Sequence, residues 1–486
     1  MKPQIKFLTD ALIQQIISEA KKILSTLGVE IHNEEALSLL ADHGVAIDSA
    51  KSKAFINETV VDKALASVPK SFKLFDTSEK QTNDFSGNNI HFTPGSSALN
   101  MLDHHSKKMR RPLTQDYIEY VKITDQLKNI ASQSTAMIPS DVVDKVSDSY
   151  RLFLSLLYGS KPVVTGTFTI ESFEVMKNML LAVRGSESNL KEKPLSVFSC
   201  CPTSPLKWSD VTSQSVLDCA KYFIPVEFIA MPLSGFVAPV TLVGTLIQHT
   251  AETLSGIVIS QLANPGTPVL YGGSPAIFDI RYETTPMGAI ETIMIDCSYN
   301  EIGKYLGIPT QAYISLTDSK QLDVQAGFES GMGAVLASAS GINNMSGPGM
   351  IDFESCISLE KLVIDNEICG MMLRMVKGIE PKEDFPSLPR FEELLKDEQL
   401  LISKHTRKYL KEEIYFPGPV INRANNARWI EEGSSTMEER AHSEVNKLLS
   451  SYNPSSLQEE IKKELINIME VEAKHHGQIK LPERIG

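Results

Sequence analysis

Short apolar, β-branched stretches recur through the middle of this chain. Each is followed by a longer run in which apolar positions return at helical spacing. The short stretches fall at 90–93, 130–138, 162–168, 194–201, 225–231, 268–273, 309–314 and 341–346. Brief apolar runs bounded by proline, glycine or asparagine read as buried strands. The runs at 143–158, 170–183, 212–222, 240–262 and 287–306 read as helices. Strand then helix, repeating about every 30 to 45 residues, calls for parallel strands joined by crossover helices. Eight such repeats predict an α/β chain built as a (β/α)8 TIM barrel.

The flanks break this rhythm and divide the chain into three expected parts. Residues 1–85 read as an N-terminal helical segment, with Thr9 and Asn33 placed to cap helices. Residues 86–380 carry the barrel pattern. Residues 381–486 form a charged helical extension, including one long helix over 437–472.

Composition narrows the function classes. Of 486 residues, 42% are apolar and 22% charged, which suits a globular chain with a large core. A net charge of −13 argues against nucleic acid or an anionic membrane surface as partner. The apolar stretch 237–262 is interrupted by Gln248, His249, Thr250 and Glu252, so it reads as a buried helix rather than a membrane span. The start of the chain has the pattern of an amphipathic helix, not of a signal peptide. Six scattered cysteines without a CxxC pair fit a reducing, cytoplasmic setting. Of ten histidines only His249 lies between 106 and 404, which disfavours a multi-histidine centre there. Cys200 and Cys201 are adjacent on a strand and should face opposite ways, so no metal is expected. Neither GxGxxG after an early strand nor GxxxxGK[ST] occurs, which removes support for nucleotide-binding α/β folds.

Chemistry concentrates in 316–374. A strand ending near Ile314 opens into a loop with Asp318, Asp323 and Gln325, then a small-residue helix. A second strand, INNMSG, opens into Gly347-Pro348-Gly349 and a loop with Phe353 and Glu354. Polar and aromatic residues just after a strand are where α/β barrels keep their chemistry. This segment resembles the C-terminal half of the trimethylamine methyltransferase family. FTPGSS…LDHHSKKMRRPLTQDY (92–117), KPVVTGTFT (161–169), GGSPAIFDIRYETTPMGAIE (272–291) and FPGPVINRANNARWIEEGSSTMEERA (416–441) resemble it too, in family order.

The resemblance implies a methyltransferase that moves a methyl group from an amine to the cob(I)alamin of a separate corrinoid protein. Trimethylamine-specific members carry pyrrolysine; this chain reads through 316–374 in standard residues. It therefore resembles the members that demethylate quaternary amines such as glycine betaine. The implied partners are a small quaternary amine and a cognate corrinoid-binding protein, because the chain has no DxHxxG-type cobalamin motif of its own. Assembly as a homo-oligomer is expected. A quaternary ammonium already carries its positive charge, so its neutral amine can leave without a proton donor. No catalytic acid or nucleophile is assigned.

A quaternary ammonium has no N–H to donate and is recognised by aromatic faces, with an acid nearby. Aromatics near expected strand ends are Phe92, Phe168, Tyr271, Phe278, Tyr313 and Phe353, with Tyr271 and Tyr313 preferred. Glu329 and Gln325 could line the cavity or order the loop, and Asp323 could equally cap the next helix. Gly347 and Gly349 could let a corrinoid face approach. His91 and Arg281 are possible partners of a betaine carboxylate, although Asp279 beside Arg281 suggests a structural pair. Two other readings stay open: a zinc-dependent corrinoid methyltransferase acting on a methanol, thiol or aryl ether, and a non-catalytic quaternary-amine binder.

Overall fold

The computed structural model describes residues 3–454 and 457–483. Each expected strand of the middle region is present, shortened to its most buried residues. They are β1 (His91–Thr93), β2 (Gln133–Ser134), β3 (Val163–Thr165), β4 (Ser196–Cys200), β5 (Val226–Ala230), β6 (Val269–Gly273), β7 (Gln311–Tyr313) and β8 (Asn344–Ser346). A helix follows each in turn: α1 (Thr114–Gln126), α2 (Ser147–Tyr158), α3 (Ser172–Arg184), α4 (Asp210–Lys221), α5 (Leu242–Ala263), α6 (Ile290–Tyr305), α7 (Val324–Ser340) and α8 (Leu359–Met375).

All the pairings among these strands are parallel. One sheet runs β6-β5-β4-β3-β2 and another β7-β8-β1. The sheets are linked at both edges. Tyr271 bridges Thr310 beside β7, and Ala131 N donates to Phe92 O at 2.9 Å. Burial explains why the strands read as continuous apolar runs: Val226–Ala230 and Val269–Gly273 are buried at every position. Helix α5 takes up most of the apolar 237–262 stretch, and it packs as a core helix. Among the described residues no helix is long and apolar enough to cross a membrane.

The N-terminal segment departs from expectation. Helices Asp10–Thr26 and Glu34–Asp42 start where Thr9 and Asn33 cap them. However, Val29–Ile31, Ala46–Asp48 and Lys53–Phe55 pair into a small sheet that also takes Lys207–Trp208 from the β4–α4 connection. Strands of three residues are too short to show a period, so the pattern could not reveal them. A hairpin, Lys73–Phe75 with Gln81–Asp84, covers the amino ends of the strands. Phe75 N donates to Pro194 O at 3.0 Å and Thr77 N to Ser160 O at 2.8 Å, just before β4 and β3. Phe72, Leu74 and Phe85 then pack with Val164, Val197 and Leu270 as a separate apolar plug.

The C-terminal extension also needs correction. The helix expected over 437–472 is two, Met437–Ser450 and Glu459–His475. Pro454 stands between them, where it cannot continue a helix. The first packs on α8 and α1, the second on α3 and α2.

Candidate active site

The carboxyl ends of β4, β5 and β6 open onto a cavity of about 470 Å³. Its wall takes Cys201, Met231 and Ser274, the first residues past those strands, together with Met287, Phe353 and Glu354. Strand alternation decides what faces it. On β7 both Gln311 and Tyr313 point away from the helices, so Ala312 packs against them. Gln311 Oε1 accepts from Gly273 N at 3.2 Å. The Tyr313 hydroxyl meets Ser96 Oγ at 2.8 Å. Gly272 faces Gln311: a Cβ there would come 2.5 Å from Gln311 Oε1. Its neighbour Tyr271 is thereby turned outward.

Two carboxyls define the electrostatics. On β5, Glu227 is fully buried; Ser199 Oγ donates to its Oε1 at 2.7 Å. Burial raises the Glu227 carboxyl to about 7, against the lowering pull of Ser199 and Asn344 beside it. Burial likewise raises Glu354 to about 8; the Ser96 N–H opposes the rise and the Glu227 charge adds to it. Neither forms an ion pair within the described residues. Burial also holds the Tyr313 phenol well above its ordinary value, with Glu227 and Glu354 adding to the effect. The Cys201 thiol is pushed up to about 12, again by burial, so it is a neutral wall group rather than a ready thiolate. Cys200 faces the opposite way, its Sγ on Ser215 Oγ at 3.6 Å, as alternation required.

Backbone strain gathers at the same end. Asp352, Phe353 and Glu354 take φ values of 52°, 57° and 71°, a left-handed run of three without glycine. Ser97 and Ser315, past β1 and β7, are left-handed as well. Such conformations persist where surrounding contacts impose them, and they cluster at functional sites. Here Ser96 N holds Glu354 Oε1 at 3.2 Å, and Lys320 Nζ lies 4.0 Å from the centre of the Phe353 ring.

The expected residues divide. Tyr313 and Phe353 belong to this end, and Phe353 lines the cavity. Tyr271 does not: its hydroxyl donates to Thr250 Oγ1 on α5 at 3.0 Å, and its ring packs near His249 and Tyr299. Phe92 is likewise buried, on the opposite face of β1 from Thr93, whose hydroxyl donates to Asn344. His91 sits at the amino end, its Nε2 3.1 Å from Asp84 N and its ring edge-on to Phe85. Phe168 stands on the rim with the buried Arg151 guanidinium 4.6 Å over its ring. Phe278 stacks on Phe236 at 4.8 Å.

The loop residues also resolve. Asp323 caps α7 through Ala326 N at 3.0 Å. Gln325 Nε2 donates to Glu329 Oε1 at 2.9 Å, and Glu329 Oε2 accepts from Thr317 Oγ1 and Asp318 N. Both therefore order the β7–α7 loop rather than line the cavity. Gly347 and Gly349 are buried and do not form an open turn. A Cβ on Gly347 would collide with Ile314 O, and Gly349 N donates to Asp365 Oδ2 at 2.7 Å. Arg281 pairs with Asp279. Sequence reasoning did not single out Glu227. A lone acid inside the apolar run PVEFIA was the available signal, since an acid is almost never fully buried without a reason.

A family model described as trimethylamine methyltransferase (MTTB) matches residues 1–476. The chain belongs to this methyltransferase family. It is 29% identical over 461 residues to the glycine betaine methyltransferase of Desulfitobacterium hafniense strain Y51, covering 94% of this chain and 95% of that protein. It is 26% identical over 469 residues to the trimethylamine methyltransferase MttB of Desulfitobacterium hafniense strain DCB-2, covering 96% and 94%. The solved monomethylamine methyltransferase of Methanosarcina barkeri shares the fold of this methyltransferase at a TM-score of 0.52 and 12% identity, over 92% of this chain and 89% of that one.

Proposed function

We propose that this methyltransferase takes a methyl group from a small quaternary amine of the betaine class and passes it to the cob(I)alamin of a corrinoid protein. The observation that carries the reading is the pair Glu227 and Glu354. A fully buried carboxyl and a partly buried one, without an ion-pair partner among the described residues, favour a cationic guest, and their ionisation would stabilise it. Tyr313 and Phe353 offer ring faces to the same ammonium. Lys320, held over Phe353, offers a positive group to a betaine carboxylate.

The proposed architecture is a closed eight-stranded barrel over residues 86–380, with 1–85 and 381–486 packed outside it. The Tyr271–Thr310 bridge and the Ala131–Phe92 hydrogen bond support closure, since they join the two sheets at both edges. Cob(I)alamin, brought by the partner, would supply a strongly nucleophilic cobalt at the mouth. Met231, Phe236, Val240, Ile280 and Tyr282 are exposed around that mouth, and an apolar rim suits a docked partner face. The chain's own residues bind the ammonium, exclude water and aim one methyl group outward. The amine leaves neutral, so no residue need donate a proton. Rate then comes from positioning and from an electrostatic environment set in advance.

The test is a panel of quaternary and tertiary amines incubated with the enzyme and cob(I)alamin, with corrinoid absorbance followed in time. Turnover of a betaine but not of trimethylamine is expected. Turnover of trimethylamine alone, or binding of betaines with no methyl transfer, would replace this reading.

A further inference from the structure

A second cluster of polar side chains lies away from the cavity, and none of its members lines it. It joins three segments that are distant in sequence. His104 sits in the turn of the hairpin Asn100–Leu102/Met109–Arg110, Glu360 in the first turn of α8, and His442 on the helix Met437–Ser450. His104 and Glu360 are only 3% and 1% exposed, and His442 sits at the edge of the group.

The contacts converge on one atom. His104 Nδ1 lies 2.7 Å and His442 Nδ1 3.1 Å from Glu360 Oε1, and the Lys107 ammonium rests on the same oxygen. Lys107 Nζ is also 3.4 Å from His442 Nδ1. Among the described residues, the second oxygen, Oε2, has a long contact to Ser358 Oγ, at 3.4 Å. His104 Nε2 meets Asn446 Oδ1 at 3.1 Å. That amide oxygen is an acceptor, so Nε2 carries a proton, and Nδ1 faces the carboxylate. Either a second ring proton on Nδ1 or a metal ion can fill that contact, and a metal ion would displace the proton. Metal-bound histidines are oriented in this way, by giving the far N–H to a carbonyl or carboxylate outside the coordination sphere.

We propose that His104, Glu360 and His442 form a structural site for a divalent transition ion of the zinc class, clamping the C-terminal helix to the hairpin and to α8. Two imidazole nitrogens and one carboxylate oxygen are a common donor set for such an ion. Tetrahedral bonds of about 2.0–2.1 Å would place neighbouring donor atoms about 3.3 Å apart. The three donor atoms already lie within 4.8 Å of one another, so small side-chain rotations suffice. Lys107 holds the position of the cation. It is 37% exposed and can swing outward to release Glu360. The fourth ligand is water, or Glu360 Oε2.

The test uses the full chain, stripped with a chelator and dialysed against Zn2+ or Co2+. Wild type should take up one ion per chain, with a tetrahedral Co2+ visible spectrum and a saturable rise in unfolding temperature. Glu360→Gln and His104→Ala should abolish uptake. His442→Ala, at a partly exposed position less exposed to misfolding, should weaken it roughly ten-fold or more, and Asn446→Ala should weaken it by a similar factor through the outer contact. Lys107→Ala should tighten binding, because no ammonium must be displaced. A cluster that is only an ion-pair network gives the opposite result: no saturable uptake by wild type or Lys107→Ala, and a lower unfolding temperature for Lys107→Ala. Either of those outcomes, or uptake unchanged in a folded His442→Ala variant, overturns the proposal.

Discussion

The two ends of the strand array are built from the same eight strands and do opposite things. At the amino end, Phe72, Leu74 and Phe85 meet Val164, Val197 and Leu270 in an apolar plug. At the carboxyl end, the same strands β4 and β6 continue into Cys201 and Ser274, facing Glu354 and Phe353 across a cavity. The plug is satisfied by burial alone. The cavity wall carries the Glu354 carboxyl, with the buried Glu227 carboxyl close by, and burial raises both. Apolar burial dominates one end, and carboxyls whose ionisation is costly lie at the other. Single substitutions should therefore separate the two.

The largest effect is expected in the plug. Phe85→Ala should lower unfolding free energy by about 3–5 kcal/mol, the usual cost of emptying a packed phenylalanine site. Betaine affinity of the folded fraction should stay unchanged, as read by denaturant titration beside calorimetry. An affinity loss matching the stability loss would dissolve the contrast between the ends.

Glu354→Gln and Glu227→Gln are the converse. Each should weaken betaine binding at pH 8 by roughly ten-fold or more, given the 1–3 pKa units that a neighbouring opposite charge commonly carries. The folded apo-protein should be as stable as wild type or more so, because a raised carboxyl pKa costs stability once the pH exceeds it. Wild-type affinity from either variant would remove the carboxyl pair from the site.

The pH dependence sharpens the same point. Both carboxyls are raised, to about 7 and about 8, above their unfolded value near 4.5. The folded apo-protein thus binds more protons than the unfolded chain in this window, and its stability should fall as pH rises from about 4.5 to about 8. A bound cation favours the ionised forms, so betaine affinity should rise with pH through 7–8 and level above, with protons released on binding. Calorimetry in buffers of different ionisation enthalpy measures that release; a pH-independent affinity with none would contradict it.

The smallest effect compares two tyrosines. Tyr313→Leu should cost roughly 0.5–2 kcal/mol of cation binding and some turnover, since a loosely held methyl group is badly aimed. Tyr271→Leu should leave affinity intact and lose about 1 kcal/mol of stability through its Thr250 hydrogen bond. Equal behaviour of the two would mean that strand alternation does not sort them.

That pair also shows how far sequence reading reached. Tyr271 and Tyr313 both lie near the ends of expected apolar strands and look alike in the sequence. Which face each takes depends on register: Gly272 sits against Gln311 and leaves Tyr271 on the helix side. Gly347-Pro348-Gly349 looked like an open turn, yet Gly347 is needed where its backbone passes Ile314. Phe353, expected in the loop after β8, does line the cavity, because a loop after a parallel strand has few places to go. Glu227 escaped notice because its burial and raised pKa depend on what surrounds it, not on its neighbours in the chain.

The sequence by itself determined the alternation of strands and helices, the positions of the eight strands, the helix starts at Thr9 and Asn33, and the family. All of these rest on local periodicity, capping chemistry or ordered motifs, which act over a few residues. Only the tertiary structure decided which side chains share the cavity, that two carboxyls from segments 127 residues apart influence one another without an ion-pair partner among the described residues, and that His104, Glu360 and His442 converge. Those facts arise from strand register and from the packing of distant segments, where burial and field depend on every neighbour at once.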